Sequence, residues 1–68
     1  MYGREGCHLC EEMAAQLRAL GVAFEEIDVD SDPRLRIRYG RDVPVLTDSS
    51  ENLICRHRVD PEAIAKLR

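Results

Sequence analysis

YGREGCHLCEEM, Tyr2–Met13, decides how the rest of the chain reads. It brings two cysteines, Cys7 and Cys10, to the point where a loop turns into a helix. Leu9, Met13, Leu17 and Leu20, with Ala14 beside them, recur at helical spacing, and Gly21 supplies a stop. The spacing predicts a helix over residues 8–20, with Cys7 at its N-terminus and Cys10 one turn in. Unpaired backbone N–H groups and the helix dipole favour negative charge at such a position, and the thiolate is the reactive form of cysteine. Cys10, three residues on, is placed to attack a mixed disulfide formed at Cys7. His8, inside the pair, adds an imidazole able to tune the thiols. Glu5, Glu11 and Glu12 add negative charge that opposes it.

Sixty-eight residues make a single domain, 1–68, and at this size only about 60% of the unfolded surface is buried on folding. With 44% hydrophobic and 34% charged residues, the composition is globular rather than disordered. No run reaches the ~18 apolar residues of a membrane span, and no signal peptide precedes the cysteines. The expectation is a soluble, cytoplasmic protein with no membrane partner. A net charge of −3 argues against nucleic acid as a partner. The charges are segregated, however: Glu25 to Asp32 is acidic, and RLRIRYGR, Arg34 to Arg41, holds four arginines.

Working outward, VAFEEIDVD (22–30) reads as a strand, its alternation broken at Glu25-Glu26. In SDPRLRIRYG (31–40), Asp32 suits an N-cap, Pro33 the first helical position and Gly40 the end of a short helix. Leu35 and Tyr39, one turn apart, are its core contacts. DVPVL (42–46) is a strand in which Pro44 marks a start, an edge or a bulge, because proline cannot donate to the ladder. TDSSEN (47–52) is a hairpin loop and LICRHRV (53–59) the return strand. Asp60-Pro61 opens a last helix with Ile64 and Leu67 inward. Helical crossovers join parallel strands, so a strand must precede Cys7, yet only Met1 and Tyr2 remain for it. An α/β domain with a short or truncated first strand follows.

Three readings of the cysteines compete. As a dithiol, Cys7 and Cys10 exchange disulfides. As ligands, they join Cys55 and His57 in a Cys3His set suited to zinc or hold a cluster, making a metal-binding module. As packing, they leave a non-catalytic adaptor whose arginines dock a partner. Three cysteines do not make a secreted framework, and in a reducing cytosol a C-x-x-C pair is more often catalytic or metal-binding than a staple. Cys55 alone reads as a small buried residue.

Y-G-R-E-G-C-H-L-C before a helix, with V-P-V-L at Val43–Leu46, resembles the glutaredoxins, more closely the small bacterial glutaredoxin-like proteins. The resemblance covers nearly the whole chain. It implies a thioredoxin-like, glutaredoxin-type three-layer α/β/α sandwich with a small mixed sheet. It further implies a thiol–disulfide oxidoreductase and electron carrier, with Cys7 the nucleophile and Cys10 the resolving thiol. The cofactor would be the redox-active disulfide Cys7–Cys10 itself, with no bound group and no metal. Substrates would be disulfide-containing proteins or small molecules, and electrons would come from glutathione or a reductase. Pro44 maps to the family's cis-proline facing the cysteines, so Val43 and Pro44 would position substrate. Arg38 and Arg41, ahead of that proline, would dock a carboxylate or a partner. Two departures stand out: His8-Leu9 fills the pair where an aromatic residue is usual, and Arg56–Asp60 replaces a Gly-Gly pair.

Overall fold

Local chemistry starts and stops the helices. The computed structural model describes residues 1–67, in which α1 (His8–Ala19) begins at Cys7 in an extended conformation. It ends at Gly21, whose φ of 72° suits a residue without a Cβ. There the Gly21 N–H donates to the Arg18 carbonyl and the Val22 N–H to that of Leu17, closing a Schellman motif. Helix α2 (Pro33–Tyr39) is capped by the Asp32 carboxylate, which accepts from the Arg34 N–H at 2.8 Å. Helix α3 (Pro61–Leu67) is capped by Asp60, which accepts from the Ala63 N–H at 2.8 Å. Both Asp-Pro signals therefore act as the sequence requires.

Cys10, Met13, Ala14 and Leu17 form the buried stripe of α1. The expected stripe was slightly misplaced: Leu9 and Leu20, 37% and 43% exposed, stand on one border of the true one. Cys10 takes the core position at unbroken i, i+3, i+4, i+7 spacing. In α3, fully buried Ala63 is the centre of contact, while Leu67 packs at its edge and Ile64 is only half-buried.

The strands are β1 (Tyr2–Gly3), β2 (Ile27–Asp28), β3 (Val45–Thr47) and β4 (Leu53–Arg56), in sheet order β2-β1-β3-β4. β1 is parallel to β2 and antiparallel to β3, and β3 is antiparallel to β4, so the sheet is mixed. Alternation sends successive residues to opposite faces. Met1 and Leu46 join α1 residues and Ala63 of α3 in one core cluster. Tyr2 and Val45 join Val29 in a second, against which Leu35 and Tyr39 of α2 pack. Helices thus cover both faces, and the α/β/α layering of a thioredoxin-like fold is present.

Two expected strands are shorter than the segments that read as strands. The run 22–30 contributes only Ile27–Asp28, because a parallel ladder is no longer than its partner and β1 has two residues. Asp28 then accepts from the Asp30 N–H at 2.8 Å and starts a 3-10 turn, Val29–Ser31. The return strand ends at Arg56, since His57 adopts φ 67° and leaves the ladder. Pro44 resolves as a strand start: the Val43-Pro44 peptide is cis and pairing begins at Val45.

Met13 is fully buried and Leu20 is not. Met13→Ala should cost about 2–5 kcal/mol in urea unfolding. Leu20→Ala should cost less than about 1 kcal/mol, and comparable losses would refute this packing.

Candidate active site

The first turn of α1 needs acceptors for its free N–H groups, and a cysteine sulfur supplies one. Cys7 is the N-cap residue, and its Sγ accepts from the Cys10 N–H at 3.2 Å. That bond holds the half-exposed sulfur over the helix axis, where N–H dipoles converge, and a thiolate accepts it better than a thiol.

Cys10 lies beneath, only 5% exposed. It fits because β1 passes close by at a glycine: a Cβ on Gly3 would stand 3.2 Å from the Cys10 Sγ. Burial pushes the Cys10 thiol up to about 11, and hydrogen bonding to Cys7 adds to the rise. The Arg4 backbone N–H opposes both, more weakly. A cleft of about 320 Å³, lined by Gly3, Arg4, Glu5, Cys10, Glu11 and Asp28 among others, gives the buried sulfur an opening. The three cysteines are free thiols.

The loop carrying Cys7 is tied down on its other side. Arg4 Nε donates to Asp30 Oδ2 at 2.8 Å, and its Nη1 donates to the Gly40 carbonyl at 3.3 Å. Asp30 also receives Arg36 Nε at 3.3 Å. These arginines, Arg4 foremost, hold the Asp30 carboxyl below the usual carboxylate range. The chain ahead of Cys7, the 3-10 turn and the end of α2 are so joined by one carboxylate.

Arg4 is the residue that sequence reasoning missed. The motif itself carried no signal of this, since the partners of Arg4 are Asp30 and Gly40, distant in sequence. His8 stands 94% exposed with Nδ1 3.9 Å from Glu11 Oε2, on the solvent side of the pair. Pro44 is buried, and its carbonyl accepts from the His57 N–H at 2.8 Å, fastening β3 to the end of β4. Val43 and Cys7, both half-buried, pack on the cluster that contains Cys10. Arg38 and Arg41 are exposed, with the Arg38 guanidinium 5.3 Å from the Tyr39 ring centroid.

The Cys3His set is not assembled. Cys55 is buried in β4, whereas His57 lies past the strand's end and is exposed. The two were expected on one strand face, and the turn at His57 is the reason they are not. Among the described residues no group of three or more His, Cys, Asp or Glu side chains comes together to hold a metal. Burial also pushes the Cys55 thiol up, with Asp60 adding to the rise. No helix among the described residues is long and apolar enough to cross a membrane.

The model of the glutaredoxin-like domain (DUF836) matches residues 1–67. The chain is similar to protein Ne2328 from Nitrosomonas europaea, solved by solution NMR, at 41% identity and a TM-score of 0.85. The match covers 98% of this chain and 86% of that one. No curated protein matches the chain.

Below about pH 11 Cys10 keeps its proton, so iodoacetamide at pH 8 should modify Cys7 first, with Cys10 and Cys55 following only on unfolding or at higher pH. Intact mass and peptide mapping read the order, and early loss of Cys10 would contradict the geometry. The folded state holds the Cys10 proton more tightly than the unfolded chain, whose thiol has its ordinary value of 9.0. The resulting stabilisation is complete below pH 9 and lost as pH rises through about 11. Urea unfolding of the reduced protein should weaken over that window, and less so in Cys10→Ala.

Proposed function

From the premise that the chain belongs to the glutaredoxin-like domain family, we propose that it is a thiol–disulfide oxidoreductase working through Cys7 and Cys10. The observation that carries this reading is the capped pair: an accessible Cys7 sulfur at the helix N-terminus with a buried thiol one turn below. The Cys7 thiolate attacks one sulfur of a substrate disulfide. A mixed disulfide forms and the other substrate sulfur leaves as a thiolate, which takes up a proton. Cys10 then loses its proton and attacks the Cys7 sulfur. The Cys7–Cys10 disulfide forms and the second substrate thiol departs, so that two electrons have passed to substrate.

The high Cys10 pKa orders these steps. In the resting pair Cys10 stays protonated, through burial first and the Cys7 sulfur second. Once Cys7 is bonded to substrate, its sulfur is part of a disulfide and accepts hydrogen bonds poorly. The second cause of the rise then falls away, and Cys10 becomes easier to deprotonate when its attack is required. Val43 and Pro44 line up the substrate backbone beside the pair. His8 acts on the pair from the solvent side, and its exposure favours a modest, salt-sensitive influence. The disulfide is reduced again by an external thiol donor, glutathione or a reductase, in the cytoplasm.

Cys7→Ser should reduce disulfide turnover to background, whereas Cys10→Ser should accumulate a mixed disulfide visible by intact mass. Full activity of Cys7→Ser on a neutral disulfide such as bis(2-hydroxyethyl) disulfide would sink the proposal. Supplying glutathione with its reductase, or thioredoxin reductase, as alternative donors identifies the source of electrons.

A further inference from the structure

Ile37 is 87% exposed, more than the other large apolar side chains left at the surface, Leu9, Leu20 and Leu53. It sits in the middle of α2, which contains no acidic residue. Isoleucine has no helix-propensity advantage over lysine or glutamate, and at this exposure it adds nothing to the core. Its surroundings are basic: segment 34–41 contributes four arginines to a chain whose total charge is −3. Arg34 is taken up by Asp32 at 3.3 Å and Arg36 by Asp30. Arg38 and Arg41 have no acidic partner among the described residues. One exposed apolar side chain thus shares its segment with two exposed arginines, Arg38 and Arg41, in a chain whose total charge is −3.

This face is joined to the redox loop. Gly40, three residues past Ile37, accepts from Arg4, and Asp30 bridges Arg4 to Arg36. The C-terminal end of α2 is thus hydrogen-bonded to the loop that precedes Cys7. We propose that the exposed face of α2 is a docking surface for acidic protein substrates of the dithiol, with Ile37 as the anchor and Arg38 and Arg41 as the steering charges. The proposal rests on the redox reading above and names its substrate class. A small carboxylate would use the arginines and have no use for Ile37, whereas a protein offers an apolar socket with an acidic rim. Anchors of this kind carry most of an interface's energy, while rim charges act on encounter rate and its salt dependence.

The test uses two peptides of equal length, each with one cysteine in mixed disulfide with thionitrobenzoate. One carries Leu and Phe among Asp and Glu, and the other has Lys at the acidic positions. In single turnover with the reduced protein at low salt, the acidic peptide should release thionitrobenzoate about tenfold faster, and the advantage should vanish near ~0.5 M salt. Ile37→Ser should slow the acidic peptide several-fold and leave bis(2-hydroxyethyl) disulfide unaffected. R38E/R41E should reverse the charge preference. Equal rates for the two peptides, or an Ile37→Ser variant that behaves as wild type, would overturn the docking surface. Titrating cysteine-free versions of both peptides into labelled protein, followed by NMR, separates the two readings. Shifts confined to 33–41 with the acidic peptide support docking even if no disulfide is turned over. Tighter binding to anionic vesicles or to duplex DNA than to the acidic peptide would refute it.

Discussion

Three successive residues at the centre of the sheet carry the packing of both layers. Met1 turns into the α1–α3 cluster, Tyr2 turns the opposite way and stacks on Tyr39 at 4.2 Å, and Gly3 turns back beneath Cys10. Each is buried, and β1 is an inner strand, paired with β2 on one side and β3 on the other. A short central strand limits its parallel partner, which is why the nine-residue run 22–30 yields two residues of β2. It also limits side-chain choice. A residue larger than glycine at position 3 would press on the Cys10 sulfur, in a core that relaxes only by tenths of an ångström.

That contact links the fold to the chemistry. Because Cys10 is seated in the core, its proton is held by burial, and because Cys7 caps the helix, its sulfur stays at the surface. One turn of α1 separates two thiols of opposite environment. The asymmetry comes from burial and capping rather than from a nearby charged side chain. His8 and Glu11 are exposed, and screening by solvent and salt weakens charges so placed.

Much of this was legible in the sequence, and the failures share a cause. Asp-Pro caps, Gly21, the C-x-x-C spacing and Pro44 are local signals: the caps and Gly21 start and stop helices, the spacing puts Cys7 at the N-cap with Cys10 one turn in, and Pro44 precedes a strand. Strand lengths are not local. Val22–Asp30 has Phe24, Ile27 and Val29 as its apolar members, but the length of its partner and the Asp28 side chain decided the outcome. Cys10, not Leu9, became the core residue of the first turn because Gly3 leaves room for it, a match between positions that no periodicity reports. Arg4 went unread for the same reason: its partners, Asp30 and Gly40, lie 26 and 36 residues away.

The Arg4–Asp30–Arg36 junction shows how a small domain orients its site without spending core on it. Exposed ion pairs of this kind contribute little to stability, typically 0–1 kcal/mol each. Their effect here is geometric. One carboxylate, reached from two sides by planar guanidinium groups, fixes the angle between the loop before Cys7 and helix α2. Arg4 then adds the α2 terminus through the Gly40 carbonyl. With β1 supplying only two residues, the sheet meets the loop before Cys7 only at Gly3. The junction ties that side, through Asp30 and the Gly40 carbonyl, to the 3-10 turn and to α2.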